Sequence, residues 1–225
     1  FAWQTSWGVS WRLIGAMIMV HGDDQGLVLP PKVAPIQIVI IPIYKNEEGK
    51  EKVLSKVEEI KKNLELKNVR VHTDDRSDLT PGYKFNDWEL KGVPIRIEIG
   101  PKDIEKQSIV IAKRYNREKS SLGFTEIDKI PTILDEIQEQ MLKKARQESV
   151  ENTIDIADYS EFKSKIEKGG FLCSPWCGKI ECEEKIKEET GAEIRVIPFD
   201  SKNTNEKCVF CQEQSIVIPI FAKGY

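Results

Sequence analysis

Three consecutive segments decide the fold: IQIVIIPI (residues 36–43), EEGKEKVLSKVEEIKKNLEL (47–66) and VRVHT (69–73). The first is a short β-branched run of the kind that forms a buried strand. The second repeats apolar residues every three or four positions, as an amphipathic helix does. The third alternates like a strand. This strand–helix–strand unit predicts two parallel strands and therefore an α/β domain.

The same domain continues to about residue 148. VPIRIEIG (93–100) and QSIVIAKR (107–114) are read as further strands, and residues 131–148 carry one apolar helical stripe. Residues 74–87, which include Pro81-Gly82, are polar and rich in turn formers, so they are read as a turn-rich connection. The predicted order of elements is β-α-β-β-β-α.

Composition limits the classes of protein to which the chain can belong. Its 225 residues correspond to one or two domains at roughly 100–200 residues each. The formal net charge of −3 argues against a globally basic nucleic-acid binder. Between Lys84 and Lys119, however, nine Lys or Arg residues stand against six Asp or Glu residues, which is a local basic patch. No signal peptide or bilayer-spanning run is visible, so we expect no membrane partner.

All five cysteines lie between Cys173 and Cys211. Cys177 and Cys182 form a C-x4-C pair, and Cys208 and Cys211 form a C-x2-C pair. Two such pairs complete a tetrahedral four-sulfur shell, which suits a structural zinc ion because it leaves no open position for a substrate. Disulfides and free thiols are the alternatives, but an odd, clustered set favours a metal site in a reducing compartment. Cys173 is either a competing ligand or a buried free thiol.

The first 33 residues form an aromatic and glycine-rich segment that ends at the paired prolines Pro30 and Pro31. Arg12 stands at the start of the apolar helix LIGAMIMV. An arginine there either holds a phosphate through two hydrogen bonds or pairs with a carboxylate inside the protein. His21-Gly-Asp-Asp24 sets a histidine beside two carboxylates, which suggests catalysis, but a tight turn after the helix explains the pattern equally well.

Three strings follow one another along the chain: WQTSWGVSWRLIGAMIMVHGDDQGLVLPPKVAP (3–35), DDRSDLTPGYKFNDWELKGVPIRIEIGPKD (74–103), and the set CGKIEC, CVFC and AKGY. They resemble motif 3, the anticodon-binding domain and the extra carboxy-terminal domain of the prolyl-tRNA synthetases of the archaeal and eukaryotic type. The resemblance implies the end of a class II catalytic domain (1–33), an α/β anticodon-binding domain with a mixed sheet (34–148) and a small α+β zinc-binding domain (149–225).

The resemblance also implies roles for individual residues. ATP contacts fall on Ser10 and Arg12, and contacts with the anticodon guanines fall on Glu89, Arg96, Lys102 and Asp103. The zinc ligands fall on Cys177, Cys182, Cys208 and Cys211, and a terminal tyrosine that folds back near the active site falls on Tyr225. Trp11 departs from the family, in which a small hydroxyl residue usually precedes the motif 3 arginine. Without the resemblance, Glu89 fits a solvated helix face, and Lys102-Asp103 fits a turn with an Asp cap.

The implied activity is proline–tRNA ligation, in which ATP activates proline and the prolyl group passes to tRNA-Pro. We expect a structural Zn²⁺, ATP, Mg²⁺ and L-proline as ligands of the full-length enzyme, a homodimer at full length and a cytoplasmic location. Motifs 1 and 2 lie upstream of Phe1 in the family, so we expect a fragment that does not activate proline alone. The alternatives are a non-catalytic tRNA- or protein-binding module and a zinc-ribbon interaction protein. Residues 1–33 argue against the first, and the α/β domain argues against the second.

Overall fold

A computed structural model of the chain describes residues 4–44, 47–201 and 205–224. The chain divides into two compact units, Phe1–Ala145 and Arg146–Tyr225, which are called here the first and second units. The three-part division predicted from the sequence, with boundaries after residues 33 and 148, stays a prediction. No helix in the described ranges has the length and apolar character needed to cross a bilayer.

The first unit is built on a five-stranded mixed sheet of order β2-β1-β3-β4-β5. Its strands are β1 (Ile38–Pro42), β2 (Val71–Thr73), β3 (Ile95–Ile99), β4 (Ser108–Lys113) and β5 (Lys119–Gly123). β1 is parallel to β2 and β3, whereas β4 is antiparallel to β3 and β5. The parallel strand–helix–strand unit and the mixed sheet predicted from the sequence are confirmed.

Helices cover both faces of this sheet. The helices of this unit are α1 (Arg12–His21), which buries no residue, α2 (Glu47–Leu66), α3 (Pro81–Leu90), α4 (Pro101–Glu105) and α5 (Ile130–Glu151), with a 3₁₀ helix at Phe124–Lys129. The apolar stripes of α2 and α5 pack with Ile38, Ile40 and Ile97 on one face. Trp88 of α3 packs with Val39 and Ile41 on the other. Because β1 is buried on both faces, it is apolar throughout rather than alternating.

The interpretation of residues 74–87 as a turn-rich connection is confirmed for residues 74–80 and is wrong from Pro81 onward, because α3 begins there. Thr80 is the N-cap, its Oγ1 accepts a hydrogen bond from the Tyr83 amide at 3.4 Å, and Pro81 occupies the first turn. Proline is favoured there because its missing N–H has no helical acceptor in any case. The sequence analysis also missed α4 and β5, and β5 is mostly exposed and carries no apolar pattern.

The second unit contains a four-stranded sheet of order β6-β7-β9-β8. Its strands are β6 (Thr153–Asp155), β7 (Phe171–Cys173), β8 (Ala192–Val196) and β9 (Ile220–Lys223), and its helices are α6 (Tyr159–Ile166) and α7 (Ile180–Thr190). β8 and β9 pair antiparallel. From the sequence alone, the apolar runs IRVIPFD (194–200) and SIVIPIF (215–221) are interpreted as paired strands, but β8 ends at Val196 and β9 begins at Ile220. Pro198 and Pro219 lie in the parts of these runs that are outside the strands, and proline cannot donate to a strand ladder.

Candidate functional site

A cavity of about 200 Å³, called here the basic cavity, lies on the α3 face of the first sheet. Its apolar lining is Val39, Trp88, Val93 and Ala112, and its charged lining is Glu89, Arg96, Lys113, Arg114, Arg117 and Lys119. Five cations therefore surround one carboxylate. Strand alternation explains the position of Arg96, since its neighbours Ile95 and Ile97 are fully buried in the opposite core.

Arg96 is held in place by contacts on both sides. Its Nε and Nη2 donate to Glu98 Oε1 at 3.1 and 2.9 Å, and Lys119 Nζ donates to the same oxygen at 2.9 Å. The Arg96 guanidinium also lies 4.4 Å from the centroid of the Phe85 ring. Glu89, one helical turn after Phe85, is half-buried, and its carboxylate has no hydrogen-bond partner among the described residues. The basic cavity therefore presents a fixed guanidinium and an available carboxylate together.

α3 is anchored by Asp74, whose side chain is 1% exposed. Trp88 Nε1 donates to Asp74 Oδ2 at 2.7 Å, and Arg76 donates to both carboxylate oxygens. Lys84 Nζ donates to the Asp74 carbonyl at 3.1 Å. Burial alone raises the pKa of Asp74, but the hydrogen bonds from Arg76 and Trp88 outweigh it and hold the pKa well below its usual range. Asp74 is therefore an ionised anchor for two successive turns of α3.

Lys102 and Asp103 line a different and more open cavity of about 630 Å³, which also includes Tyr44 and Lys52. Asp103 Oδ2 accepts a hydrogen bond from the Gly100 amide at 2.8 Å and so caps α4. The structure thus brings Glu89 and Arg96 together but places Lys102 and Asp103 elsewhere. The Asp-cap interpretation of Asp103 describes one of its contacts, in a short helix rather than a turn.

The predicted ATP-binding residues lie at the start of α1. Ser10 and Arg12 are exposed, and the Arg12 side chain makes no hydrogen bond or ion pair within the described part of the chain. Trp11 is the N-cap residue, is 86% exposed and forms no side-chain cap. After α1, the tight-turn interpretation is confirmed, because the Asp23 and Gly26 amides and carbonyls pair with each other. The catalytic interpretation of His21 stays a hypothesis.

Four basic side chains of the basic cavity were not among the residues predicted from the sequence, namely Lys113, Arg114, Arg117 and Lys119. All four lie at or near the β4–β5 hairpin and inside the local basic stretch between Lys84 and Lys119. That stretch was the available signal, but it identified a charge excess and not which side chains share a cavity.

The second unit brings four cysteines together. The sulfurs of Cys177, Cys182, Cys208 and Cys211 all lie within 4.8 Å of one another, and Cys177 Sγ is 3.6 Å from Cys182 Sγ and 3.7 Å from Cys211 Sγ. Zinc–sulfur bonds of about 2.3 Å at tetrahedral angles require sulfurs roughly 3.8 Å apart, so the group fits zinc. None of the five cysteines forms a disulfide, and the half-buried Cys173 is not part of this group.

Hydrogen bonds prepare one of these sulfurs for a metal. Burial raises the pKa of the Cys208 thiol, but backbone N–H groups of Cys211 and Phe210 donate to it and lower its pKa overall. Burial raises the pKa of Cys177 and Cys182. The group as a whole can hold a metal ion, and a closed four-sulfur shell serves structure rather than catalysis. The predicted role of Tyr225 lies outside the described residues.

Comparisons with known proteins agree with these features. The family model of the anticodon-binding domain matches residues 37–136, and the model of the prolyl-tRNA synthetase carboxy-terminal domain matches residues 159–225. The chain is 50% identical over 230 residues to the proline–tRNA ligase of Cenarchaeum symbiosum (strain A), covering 100% of this chain and 47% of that protein. It is 51% identical over 224 residues to the proline–tRNA ligase of Acetoanaerobium sticklandii, covering 99% and 46%.

A solved structure extends the agreement to three dimensions. The crystal structure of prolyl-tRNA synthetase from Cryptosporidium parvum, complexed with L-proline and AMP, matches with a TM-score of 0.87 at 39% identity. The match covers 95% of this chain and 46% of that one. The chain spans about half the length of the curated relatives it matches. By sequence and by fold, the chain belongs to the prolyl-tRNA synthetases and corresponds to their carboxy-terminal portion.

Proposed function

We propose that this chain recognises the anticodon of tRNA-Pro within a proline–tRNA ligase. The observation that carries the proposal is the basic cavity, in which Glu89 and Arg96 face one space. A carboxylate accepts from the N1–H and N2–H₂ groups of guanine, whereas a guanidinium donates to O6 and N7. Proteins read RNA sequence mainly on single-stranded, splayed bases such as those of an anticodon loop. One guanine therefore matches the polar groups of this cavity.

Lys102 and Asp103 serve a second base in the same proposal. They line a separate cavity at the end of β3, so two neighbouring anticodon guanines would be read at two places. Asp103 contributes its carboxylate, of which one oxygen caps α4, and the exposed Lys102 contributes a cation. The cations of the basic cavity supply the attraction for the RNA backbone that the net charge of the whole chain does not.

The remaining ligands of the proposal belong to the whole enzyme. Arg12 and Ser10 contact ATP, where a guanidinium stabilises charge on the triphosphate during proline activation with Mg²⁺. The four-cysteine group binds a structural zinc ion, which its sulfur distances support. The homodimer and the cytoplasmic location stay predictions that rest on the family resemblance.

Glu89→Gln tests the assignment on the protein side. The amide keeps the size of the carboxylate but presents a donor where guanine also presents donors. We expect the affinity for tRNA-Pro to fall about tenfold, as for loss of one good base contact. Glu136→Gln is the matched control, since it removes the same charge from an exposed position of α5. Equal affinity of the two variants would show that Glu89 does not read the anticodon.

A further inference from the structure

The turn that follows α1 contacts two arginines of the basic cavity through Asp23. Arg114 Nη1 and Nη2 donate to the two Asp23 oxygens at 2.9 and 2.6 Å, and Arg117 Nη2 donates to Oδ2 at 3.0 Å. Both arginines line the cavity. Hydrogen bonding from Arg114, more than any other cause, holds the pKa of Asp23 well below its usual range. The carboxylate is therefore ionised at neutral pH and binds two cavity arginines at once.

Arg114 connects this carboxylate to Glu89. Its side chain is only 4% exposed, and its Nε donates to the Glu89 carbonyl at 3.0 Å. A buried guanidinium needs a charged partner and occupied donors, since an unpaired buried charge is costly. Asp23 supplies the charge, and the Glu89 carbonyl occupies the third donor position. Arg114 therefore links Asp23 of the turn to the end of α3 that carries Glu89.

Backbone contacts fix the same junction. The Leu27 amide donates to the Leu90 carbonyl at 3.0 Å, and the Leu29 amide donates to the Gly92 carbonyl at 3.2 Å. A Cβ on Gly92, which has φ +71°, would meet the Leu27 carbonyl oxygen at 2.5 Å. The chain after α1 therefore lies in close backbone contact with the end of α3. A displacement of Asp23 would for this reason also displace the backbone at Glu89.

Arg117 has a different role from Arg114. Its backbone is in the left-handed region at φ +60°, which costs a non-glycine residue some strain. Its side chain is 54% exposed, so the donors that Asp23 does not occupy remain accessible to RNA. Asp23 restricts this otherwise free side chain to the edge of the basic cavity.

Building on the proposed function, we infer that Asp23 is a positioning residue for anticodon recognition. It holds Arg114 against the Glu89 carbonyl and Arg117 at the cavity edge, although it belongs to the segment that carries the predicted ATP-binding residues. Asp23 does not touch the RNA itself. Its contribution is the placement of the groups that do.

Asp24 provides a matched control. It is the next residue, it is exposed, and it forms no hydrogen bond or ion pair within the described residues. Asp23→Asn and Asp24→Asn each remove one negative charge, so the general attraction of the protein for RNA rises equally in both. Only Asp23→Asn weakens the interaction of residue 23 with Arg114. A difference between the two variants therefore reports placement and not net charge.

The test measures binding of the chain to two RNA stem-loops at fixed salt. One stem-loop carries the two anticodon guanines, and the other has adenines in their place. The readout is the ratio of the two dissociation constants. We expect Asp23→Asn to reduce the wild-type ratio by about tenfold, the effect of losing one charge-assisted interaction, and Asp24→Asn to leave it unchanged. Asp23→Glu, which keeps the charge, should restore part of the ratio.

Hydrogen exchange supplies a second readout. The Gln25 amide donates to Asp23 Oδ1 at 2.9 Å. Binding of the guanine stem-loop should protect the amides of the turn at residues 23–26 in the wild-type chain and in Asp24→Asn, but not in Asp23→Asn. Arg117→Gln, at an exposed position, should reduce the ratio of the two dissociation constants without disturbing the ion pair between Asp23 and the buried Arg114.

The outcomes separate the two proposals. A wild-type chain that binds both stem-loops equally would overturn the proposed function and the inference with it. A wild-type chain that discriminates, together with Asp23→Asn and Arg117→Gln variants that discriminate equally well, would overturn the inference alone. Loss of discrimination in Asp24→Asn to the same extent as in Asp23→Asn would also overturn it, because the effect would then follow net charge.

Discussion

Asp74 anchors α3, the helix that supplies Trp88 and Glu89 to the lining of the basic cavity. Its buried carboxylate accepts from Trp88 and Arg76, and its carbonyl accepts from the buried Lys84. Arg76 also donates to Asp87 Oδ2 at 2.7 Å. Removing the carboxylate would leave the Trp88 indole N–H without its acceptor and would remove the opposite charge that lies 3.8 Å from the buried Lys84 ammonium, whereas the partly exposed Arg76 would keep Asp87. Such a loss is far more costly than the loss of a surface ion pair.

Asp74→Ala should therefore lower the free energy of unfolding by about 3–5 kcal/mol, the range for breaking a buried charge pair. Urea unfolding followed by tryptophan fluorescence measures the change, because Trp88 contacts the altered site. Asp75→Ala, at the exposed neighbouring position, is the control and should change stability by no more than about 0.5 kcal/mol. Equal effects of the two substitutions would contradict the anchoring role.

At the scale of elements, the sequence predicts α2, α5 and β1 well and α3 poorly, for physical reasons. α2 and α5 carry an apolar periodicity, and β1 is a continuous apolar run because both of its faces are buried, so the sequence displays all three patterns directly. α3 buries Trp88 and the charged Lys84, and Lys84 is buried because Asp74, ten residues away, provides its acceptor. No local pattern reveals such a partner.

The candidate sites divide in the same way. The four cysteines were found because metal ligands recur at short, regular spacings. The pairing of Asp23 with Arg114 joins residues 91 positions apart, and only the sheet topology brings them together. The roles of Glu89 and Arg96 were predicted from the family resemblance. The structure shows that these two residues share a cavity and that Lys102 and Asp103 line a different one.

The junction of α3 with the segment after α1 makes a prediction about Gly92. Its φ of +71° is unfavourable for other residues, and an added Cβ would collide with the Leu27 carbonyl. Gly92→Ala should lower the thermal unfolding midpoint, with a loss of about 1–3 kcal/mol for the strained backbone. Gly82→Ala, within α3 and with no atom within 4 Å of the added Cβ, should leave the midpoint unchanged or raise it. The reverse order of the two midpoints would rule out the proposed close approach.

The two units have separate cores and separate means of stabilisation. The second unit has a small core around Phe162, Leu172 and Phe221, next to the four-cysteine group. A metal ion that binds only the folded state adds its binding energy to the stability of that unit. The first unit contains no cysteine and depends on its larger apolar core.

Removal of zinc should therefore loosen the second unit and spare the first. We expect about one zinc ion per chain by elemental analysis, as a four-sulfur shell requires. Cys208→Ser should abolish binding, and Cys173→Ser, outside the group, should retain it. Chelation should accelerate amide exchange in β7, β8 and β9 but not in β1 and β3. Zinc retained by Cys208→Ser, or equal acceleration in both units, would contradict this assignment.

The proposed function of this chain is recognition of the anticodon of tRNA-Pro. The most direct measurement compares its affinity for tRNA-Pro with its affinity for the same transcript in which both anticodon guanines are replaced, at one fixed salt concentration, because phosphate contacts depend strongly on salt. We expect a loss of affinity of at least about tenfold on replacement, since each wrong base costs about 1–3 kcal/mol at a position that the protein reads. Equal affinity for the two transcripts would contradict anticodon recognition by this chain.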